Sequence, residues 1–140
     1  MERYVGIWYE IARFPHRFQE GCHATTATYT MKPDGEIEVI NRCRKDSVQG
    51  PEKKATGRAR VVDPHSNAKL EVTFFWPFWG DYWIIDLDEK YEYAVVGHPS
   101  RDYLWILARK PALPEPTYDA ILSRLVQHNY ETARLLRTVH

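Results

Sequence analysis

The cysteines and histidines are the side chains best suited to nucleophilic or metal chemistry here, but their spacing supports neither. The six histidines are scattered, without the H-E-x-x-H or paired spacing typical of zinc ligands. Cys22 and Cys43 lack the C-x-x-C spacing of zinc and thioredoxin-type redox sites. The sequence therefore predicts no metal site, no cofactor and no catalytic residue, and it favours a protein that is not an enzyme.

The most unusual stretch is aromatic. Residues 74–83 read FFWPFWGDYW, with seven aromatic side chains in ten positions at a link between two candidate strands. Loops are ordinarily polar, and an exposed apolar patch usually marks a contact surface. One interpretation is that Trp76, Phe78 and Trp79 form an apolar lip that touches a ligand, a membrane interface or a second subunit. The alternative is local packing over the end of the fold.

Length and charge limit the function classes. The 140 residues carry 19 basic and 19 acidic side chains, which predicts one domain over residues 1–140 and gives no electrostatic attraction to nucleic acid. No apolar run approaches the roughly 20 residues of a membrane-spanning helix, and no signal-peptide core is present. We expect any export signal or lipid anchor to lie upstream of residue 1.

Up to about residue 110 the sequence is a series of short β-rich runs separated by turn signals such as Lys32-Pro33-Asp34-Gly35. Consecutive strands with one apolar face predict an all-β fold, an eight-stranded up-and-down antiparallel β-barrel that can hold one small ligand. The candidate strands lie at about 8–14, 23–31, 36–44, 54–62, 69–75, 82–87, 92–98 and 102–109.

After the strands, the spacing of Tyr118, Ile121, Leu122 and Leu125 predicts one amphipathic helix over about 116–128. Asn129 suits a left-handed C-terminal cap. The apolar stripe of the helix needs a partner, and the outside of the barrel is available. Residues 132–139 are expected to add one more short strand.

Two segments far apart in the chain resemble one known family. Residues 4–13, YVGIWYEIAR, resemble the G-x-W opening of the lipocalins, and residues 102–109, DYLWILAR, resemble their closing strand. The match is to the branch of bacterial outer-membrane lipocalins and apolipoprotein D. Leu87-Asp88 and Tyr93 are similar to the family's T-D-Y region, with leucine in place of threonine. The resemblance covers essentially the whole chain.

The resemblance implies structural roles for Gly6, Trp8 and Arg109. A tryptophan from the first strand can fill the end of the barrel opposite its mouth, while an arginine from the last strand lies over the ring. Such a cation–π contact is worth about 0.5–2 kcal/mol. These residues close the barrel and do not contact the ligand.

If Arg109 lies at the closed end, the period of two places Tyr103, Trp105 and Leu107 inside the barrel. Together with inward residues of other strands and the aromatic lip, they would line an apolar cavity. The predicted ligand contacts are Tyr29, Met31, Val39, Val72, Phe74, Trp76, Trp79, Tyr103, Trp105 and Leu107. The predicted function is binding, storage or transport of a hydrophobic or amphipathic ligand such as a fatty acid or lysophospholipid.

Simple alternation places Cys22 and Cys43 on opposite faces, which argues against an ideal cross-strand disulfide. Counting is unreliable at the entry to the second strand, however, and similar lipocalins carry cysteines here. The resemblance thus implies a disulfide and an oxidising compartment, with free buried thiols as the alternative. Glu10 is expected to face inward near Trp8, either paired with a buried base or facing the ligand.

Two other functions remain open. A lipid-modifying enzyme on the same barrel would use a free, low-pKa Cys43 facing the cavity. An interaction module would use residues 74–83 for peripheral membrane association or for a homodimer. The resemblance implies a periplasmic or outer-membrane-associated location.

Overall fold

The computed structural model describes residues 3–15, 22–62, 69–75, 78–101, 103–138 and 140, with the backbone alone described for residues 74, 75, 78 and 79. Within these ranges the chain is mostly strand. The strands are β1 (Gly6–Arg13), β2 (Cys22–Met31), β3 (Ile37–Lys45), β4 (Glu52–Val61), β5 (Lys69–Phe75), β6 (Phe78–Leu87), β7 (Tyr93–Gly97), β8 (Leu104–Ala108) and β9 (Leu136–Arg137), with α1 (Glu115–Gln127) and a short 3-10 helix (Thr132–Arg134) between β8 and β9.

The first eight strands form a closed up-and-down barrel. Each pairs antiparallel with the next, and β1 pairs with both β2 and β8, which closes the sheet. This confirms the predicted fold class. Among these eight, the odd-numbered strands begin at one end of the barrel, here called the closed end, and finish at the other, the open end. Closure leaves no long edge able to pair with another chain.

The helix packs on the outside of the barrel, as its apolar stripe predicts. Tyr118, Ile121 and Leu125 are buried in a cluster with outward side chains of β1, β7 and β8. The helix ends in a Schellman motif: Asn129 has φ of 67° and donates to Val126, while the amide of Tyr130 donates to the carbonyl of Leu125. An ion pair of 2.6 Å between Arg124 and Asp86 also joins the helix to β6.

A β-bulge in β2 changes the face on which its first residues lie. The pairing with β3 shifts between His23 and Thr26, and Ala24 has φ of 52°. One extra residue reverses the alternation on the open-end side of the bulge. Simple alternation therefore placed Cys22 on the wrong face, and the bulge brings it to the side of Cys43.

Strand β9 completes the wall beside β1. It pairs with Ala12 and Arg13, beyond the stretch of β1 that pairs with β2. This short strand is the one expected in the C-terminal tail. The amide of Thr138 continues the pairing by donating to the carbonyl of Ile11 at 2.9 Å.

Candidate ligand-binding site

The closed end of the barrel is sealed by Trp8 and Arg109. Trp8 is fully buried, and its indole Nε1 donates to the carbonyl of Tyr4 at 2.7 Å. The Cζ atom of Arg109 lies 3.8 Å from the centre of the Trp8 ring, the cation–π geometry that the resemblance implies. Partial burial lowers the pKa of Arg109. Its guanidinium also donates hydrogen bonds of 2.8–3.0 Å to the backbone carbonyls of Arg3, Val5 and Ile7.

Gly6 allows this close approach. Its φ is +107°, a conformation that a side chain disfavours, and a Cβ at this position would lie 3.2 Å from Nη1 of Arg109. The glycine of the G-x-W segment is therefore required both by its backbone conformation and by the arginine above it.

An apolar interior lies above this floor. Tyr29, Val39 and Leu107 are buried in one cluster with Trp8, while Val72 and Trp105 pack against that cluster and remain partly accessible to solvent. All five belong to or pack against the interior cluster, and their roles as ligand contacts remain predictions. Ile84 of β6 is also partly accessible at this inner face. The interior therefore contains both fully buried side chains and inward apolar side chains that solvent still reaches.

Tyr103 lies beside Trp105 near the open end. Their rings stack with centroids 6.2 Å apart and an interplanar angle of 10°, and the His98 ring lies 5.5 Å from Tyr103 on its edge. Tyr103 is partly exposed. It therefore lies at the rim of the barrel, where it holds the Trp105 ring in one orientation.

Met31, which is also a predicted ligand contact, does not belong to the interior cluster. Although it shares a face with Tyr29, Met31 is the last residue of β2 at the closed end and its side chain is 41% exposed. The alternation was correct, since Met31 pairs with the buried Ile37, but the end of the strand leaves the methionine side chain exposed. Three other predicted contacts cannot be placed: Trp76 lies outside the described residues, as do the side chains of Phe74 and Trp79.

Three tyrosine hydroxyls meet inside the barrel, a cluster that the sequence analysis did not identify. The Tyr82 hydroxyl lies 2.6 Å from that of Tyr4 and 2.7 Å from that of Tyr29. The Tyr4 ring is 5.0 Å from the Trp8 ring, which places the cluster just above the floor. Burial raises the pKa of Tyr29 to about 12 and the pKa values of Tyr4 and Tyr82 well above their ordinary value, so all three hydroxyls are protonated at neutral pH.

The buried carboxylate of Glu10 is paired, as the structural interpretation of this residue expected. Its Oε2 lies 3.0 Å from Nη1 of Arg13, and both side chains are buried. The hydroxyl of Thr138 also donates to this carboxylate. The pair joins β1 to the C-terminal segment, whose last residue, His140, contacts the carbonyl of Glu10 through Nε2 at 2.6 Å.

Cys22 and Cys43 form a disulfide, with Cα atoms 5.3 Å apart. The disulfide confirms the pairing that the resemblance implied. It also occupies the thiol that the enzyme alternative required as a nucleophile. Among the described residues, no group of three or more histidine, cysteine or acidic side chains is arranged to hold a metal ion.

Comparison with known proteins assigns the family. A family model described as the Lipocalin-like domain matches residues 1–140. This chain belongs to the lipocalin family. It is 42% identical over 135 residues to the outer membrane lipoprotein Blc of Citrobacter freundii, covering 96% of this chain and 76% of that protein. It is 34% identical over 145 residues to apolipoprotein D of Macaca fascicularis, covering 97% and 74%.

The fold is also found among solved structures. Lobster apocrustacyanin A1 superposes with a TM-score of 0.77 at 18% identity, covering 99% of this chain and 78% of the other. At that identity the likeness supports the fold alone. Lipocalins are generally binding and transport proteins, and membership of the family supports binding of a small hydrophobic ligand as the general function of this chain. Among the described residues, no helix is long and apolar enough to span a membrane.

Proposed function

We propose that this lipocalin binds a single fatty acid, lysophospholipid or similar amphipathic molecule in its barrel, for storage or transport. The observation that carries the proposal is that several apolar side chains inside the barrel are still reached by solvent. Trp8 is fully buried at the floor, whereas Val72, Ile84 and Trp105 are inward apolar side chains that solvent still reaches. Covering such surface with an acyl chain contributes roughly 25 cal/mol per Å².

The charge at the open end supports an acidic headgroup there. The hairpin of β3 and β4 lies at this end, and its exposed basic side chains include Arg44, Lys53 and Lys54. A carboxylate or phosphate at the mouth would stay hydrated and lie near these cations, which avoids the cost of burying an ion. The acyl chain would then occupy the interior beside Tyr103 and Trp105, with Tyr29, Val39 and Leu107 below.

An envelope location is part of the proposal. The Blc relative is named an outer membrane lipoprotein, and a disulfide is typical of oxidising compartments. We extend this to a periplasmic or outer-membrane-associated role for the present chain. Peripheral membrane contact or a homodimer through residues 74–83 remains a separate proposal, supported by the aromatic composition of that segment.

Displacement of a fluorescent probe tests the binding function. The delipidated protein would be loaded with 1-aminoanthracene and titrated with dodecanoate and with a lysophospholipid. We expect saturable displacement by both. The Trp105→Ala variant should bind them at least about 10-fold more weakly, equivalent to about 1.4 kcal/mol, because it removes the largest partly accessible side chain on the interior wall.

Val126→Ala is the matched control, since Val126 lies on the outer helix and is 58% exposed. Its affinities should equal those of the wild type. Failure of both ligands to displace the probe, or an equal loss of affinity in both variants, would refute binding in the barrel.

A further inference from the structure

The three buried tyrosine hydroxyls have three hydrogen-bond donors but make only two hydrogen bonds with one another. Each phenol hydroxyl can donate one hydrogen bond and accept two. Tyr4, Tyr82 and Tyr29 form a chain with two O···O contacts, of 2.6 and 2.7 Å. Two contacts use two of the three protons, whichever way each bond runs. One O–H donor is therefore left over, and these hydroxyls have no further hydrogen-bond partner among the described residues.

The barrel itself offers this donor few acceptors. The strand carbonyls of a closed barrel are already paired in the ladders between strands. The side chains packed around the triad are mainly hydrocarbon, including Leu70, Val39 and Leu107. Leaving a buried donor without an acceptor is costly, so the cluster is better suited to a bound molecule than to a dry core.

Tyr82 is the least buried residue of the triad. Tyr4 and Tyr29 are 2% and 6% exposed, whereas Tyr82 is partly accessible and packs at the edge of the interior cluster. When Tyr82 accepts from both neighbours, its own proton is the one left over. Two accepted bonds polarise that O–H and make it a stronger donor. A molecule filling the interior would meet this group with its leading end.

We propose that the Tyr4–Tyr82–Tyr29 triad is a deep polar subsite that binds an uncharged oxygen acceptor, such as a ketone, ester or ether oxygen, at the leading end of an apolar ligand. The inference rests on the proposed ligand-binding function and specifies the chemistry of the inner end of the ligand. One neutral donor can satisfy a carbonyl oxygen, but it cannot offset the cost of burying a carboxylate. Arg109 does not serve as that counter-ion, because its guanidinium is stacked on Trp8 and bonded to backbone carbonyls.

The test compares three probes of similar chain length: 2-tridecanone, tridecane and dodecanoate. Each would be used to displace 1-aminoanthracene from the full-length wild type and from the Tyr82→Phe, Tyr29→Phe and Tyr9→Phe variants. Tyr9 is the matched control, because its ring lies against His140 and is absent from the interior cluster. We expect the wild type to prefer the ketone over the alkane. Tyr82→Phe should reduce that preference by about 3- to 10-fold, the range for one neutral hydrogen bond.

Dodecanoate affinity should stay the same in Tyr9→Phe. In Tyr82→Phe and Tyr29→Phe the affinity for dodecanoate should fall by less than the affinity for the ketone, since the carboxylate remains at the mouth. Infrared spectra of carbonyl-labelled 2-tridecanone give a second readout. In the wild type, this readout does not depend on whether a variant folds. In the wild type the carbonyl band should lie at lower wavenumber than in an alkane solvent. In Tyr82→Phe the band should lie at the wavenumber found in the alkane solvent.

An unshifted band in the wild type would overturn the subsite. So would a ketone preference that Tyr82→Phe and Tyr29→Phe leave unchanged, even if both lower thermal stability, because that result assigns the triad to packing alone. Absence of binding by all three probes would instead refute the proposed function, and the subsite with it.

Discussion

At the scale of single residues, the closed end of the barrel has two layers of different chemistry. The floor uses a charged guanidinium, which contacts an aromatic ring and three backbone carbonyls. Just above it, three neutral hydroxyls share hydrogen bonds. The charged guanidinium of Arg109 therefore lies on the far side of Trp8 from the interior. The polar groups at the inner end of the interior are the uncharged tyrosine hydroxyls.

Replacing Arg109 tests the floor. Arg109→Leu removes the cation–π contact and leaves three carbonyls without their donor, so we expect the free energy of unfolding to fall by about 2–4 kcal/mol. Arg109→Lys should lower the free energy of unfolding by less, because the lysine ammonium group keeps the positive charge. Some loss remains, because the ammonium group lacks the planar shape of the guanidinium. Urea denaturation measures both.

Arg60→Leu serves as the control. Arg60 forms an ion pair of 2.9 Å with Glu71 on the surface. Loss of this ion pair should lower the free energy of unfolding by no more than about 1 kcal/mol. Equal costs for Arg109→Leu and Arg60→Leu would show that Arg109 does not seal the barrel.

The tyrosine triad predicts a loss of stability at alkaline pH. Burial raises the pKa of Tyr29 from 10.0 to about 12, so the folded protein holds this proton more tightly than the unfolded chain does. The protonated Tyr29 therefore contributes roughly 3 kcal/mol to the free energy of unfolding. This contribution is complete below pH 10 and is lost as the pH rises to about 12. Denaturation curves of the wild type and Tyr29→Phe between pH 8 and 12 would measure it. Parallel curves for the two proteins would contradict the assignment.

The tyrosine triad also marks a limit of sequence analysis. Period-two counting from Arg109 placed Trp105 and Leu107 on the inner face, because β8 is regular there. Tyr4 precedes β1 and belongs to no alternating strand, and Tyr82 lies within the aromatic segment that was interpreted as a lip. Their meeting depends on a contact between residues 78 positions apart, which no local pattern contains. Alternation gives the face of Met31 but not its exposure at the end of β2.

At the scale of elements, irregularities decide which side chains meet. The bulge in β2 brings Cys22 to the face of Cys43. A second bulge, in β6, leaves the consecutive residues Ile85 and Asp86 both on the outer face, towards the helix. The helix itself was predictable from its apolar spacing and its cap. The bulges were not, because nothing in the alternation of apolar residues marks an extra residue in advance.

The attachment of the helix to the barrel can be tested by replacing two of its side chains with alanine. Ile121 is fully buried between α1 and the barrel, so Ile121→Ala should lower the free energy of unfolding by about 2–5 kcal/mol. Val126→Ala on the exposed side of the same helix should change it by no more than about 0.5 kcal/mol. Thermal unfolding of both variants gives the comparison, and equal stabilities would mean that the helix does not cover the barrel.

At the scale of the whole molecule, the fold separates stability from binding. One apolar cluster lies between the helix and the outer wall, and the other fills the lower interior. The Cys22–Cys43 disulfide joins β2 to β3 towards the open end. The upper interior can therefore exchange solvent for a ligand while the outer cluster, the floor and the disulfide hold the barrel closed.

The most direct test of this account is to fill the interior. Val72 faces inward and is partly accessible, whereas Thr56 on β4 is exposed. Isothermal titration of the delipidated protein with dodecanoate should give one site per chain in the wild type and in Thr56→Trp, and no measurable binding in a folded Val72→Trp. Equal binding by all three proteins would contradict the claim that the ligand lies inside the barrel.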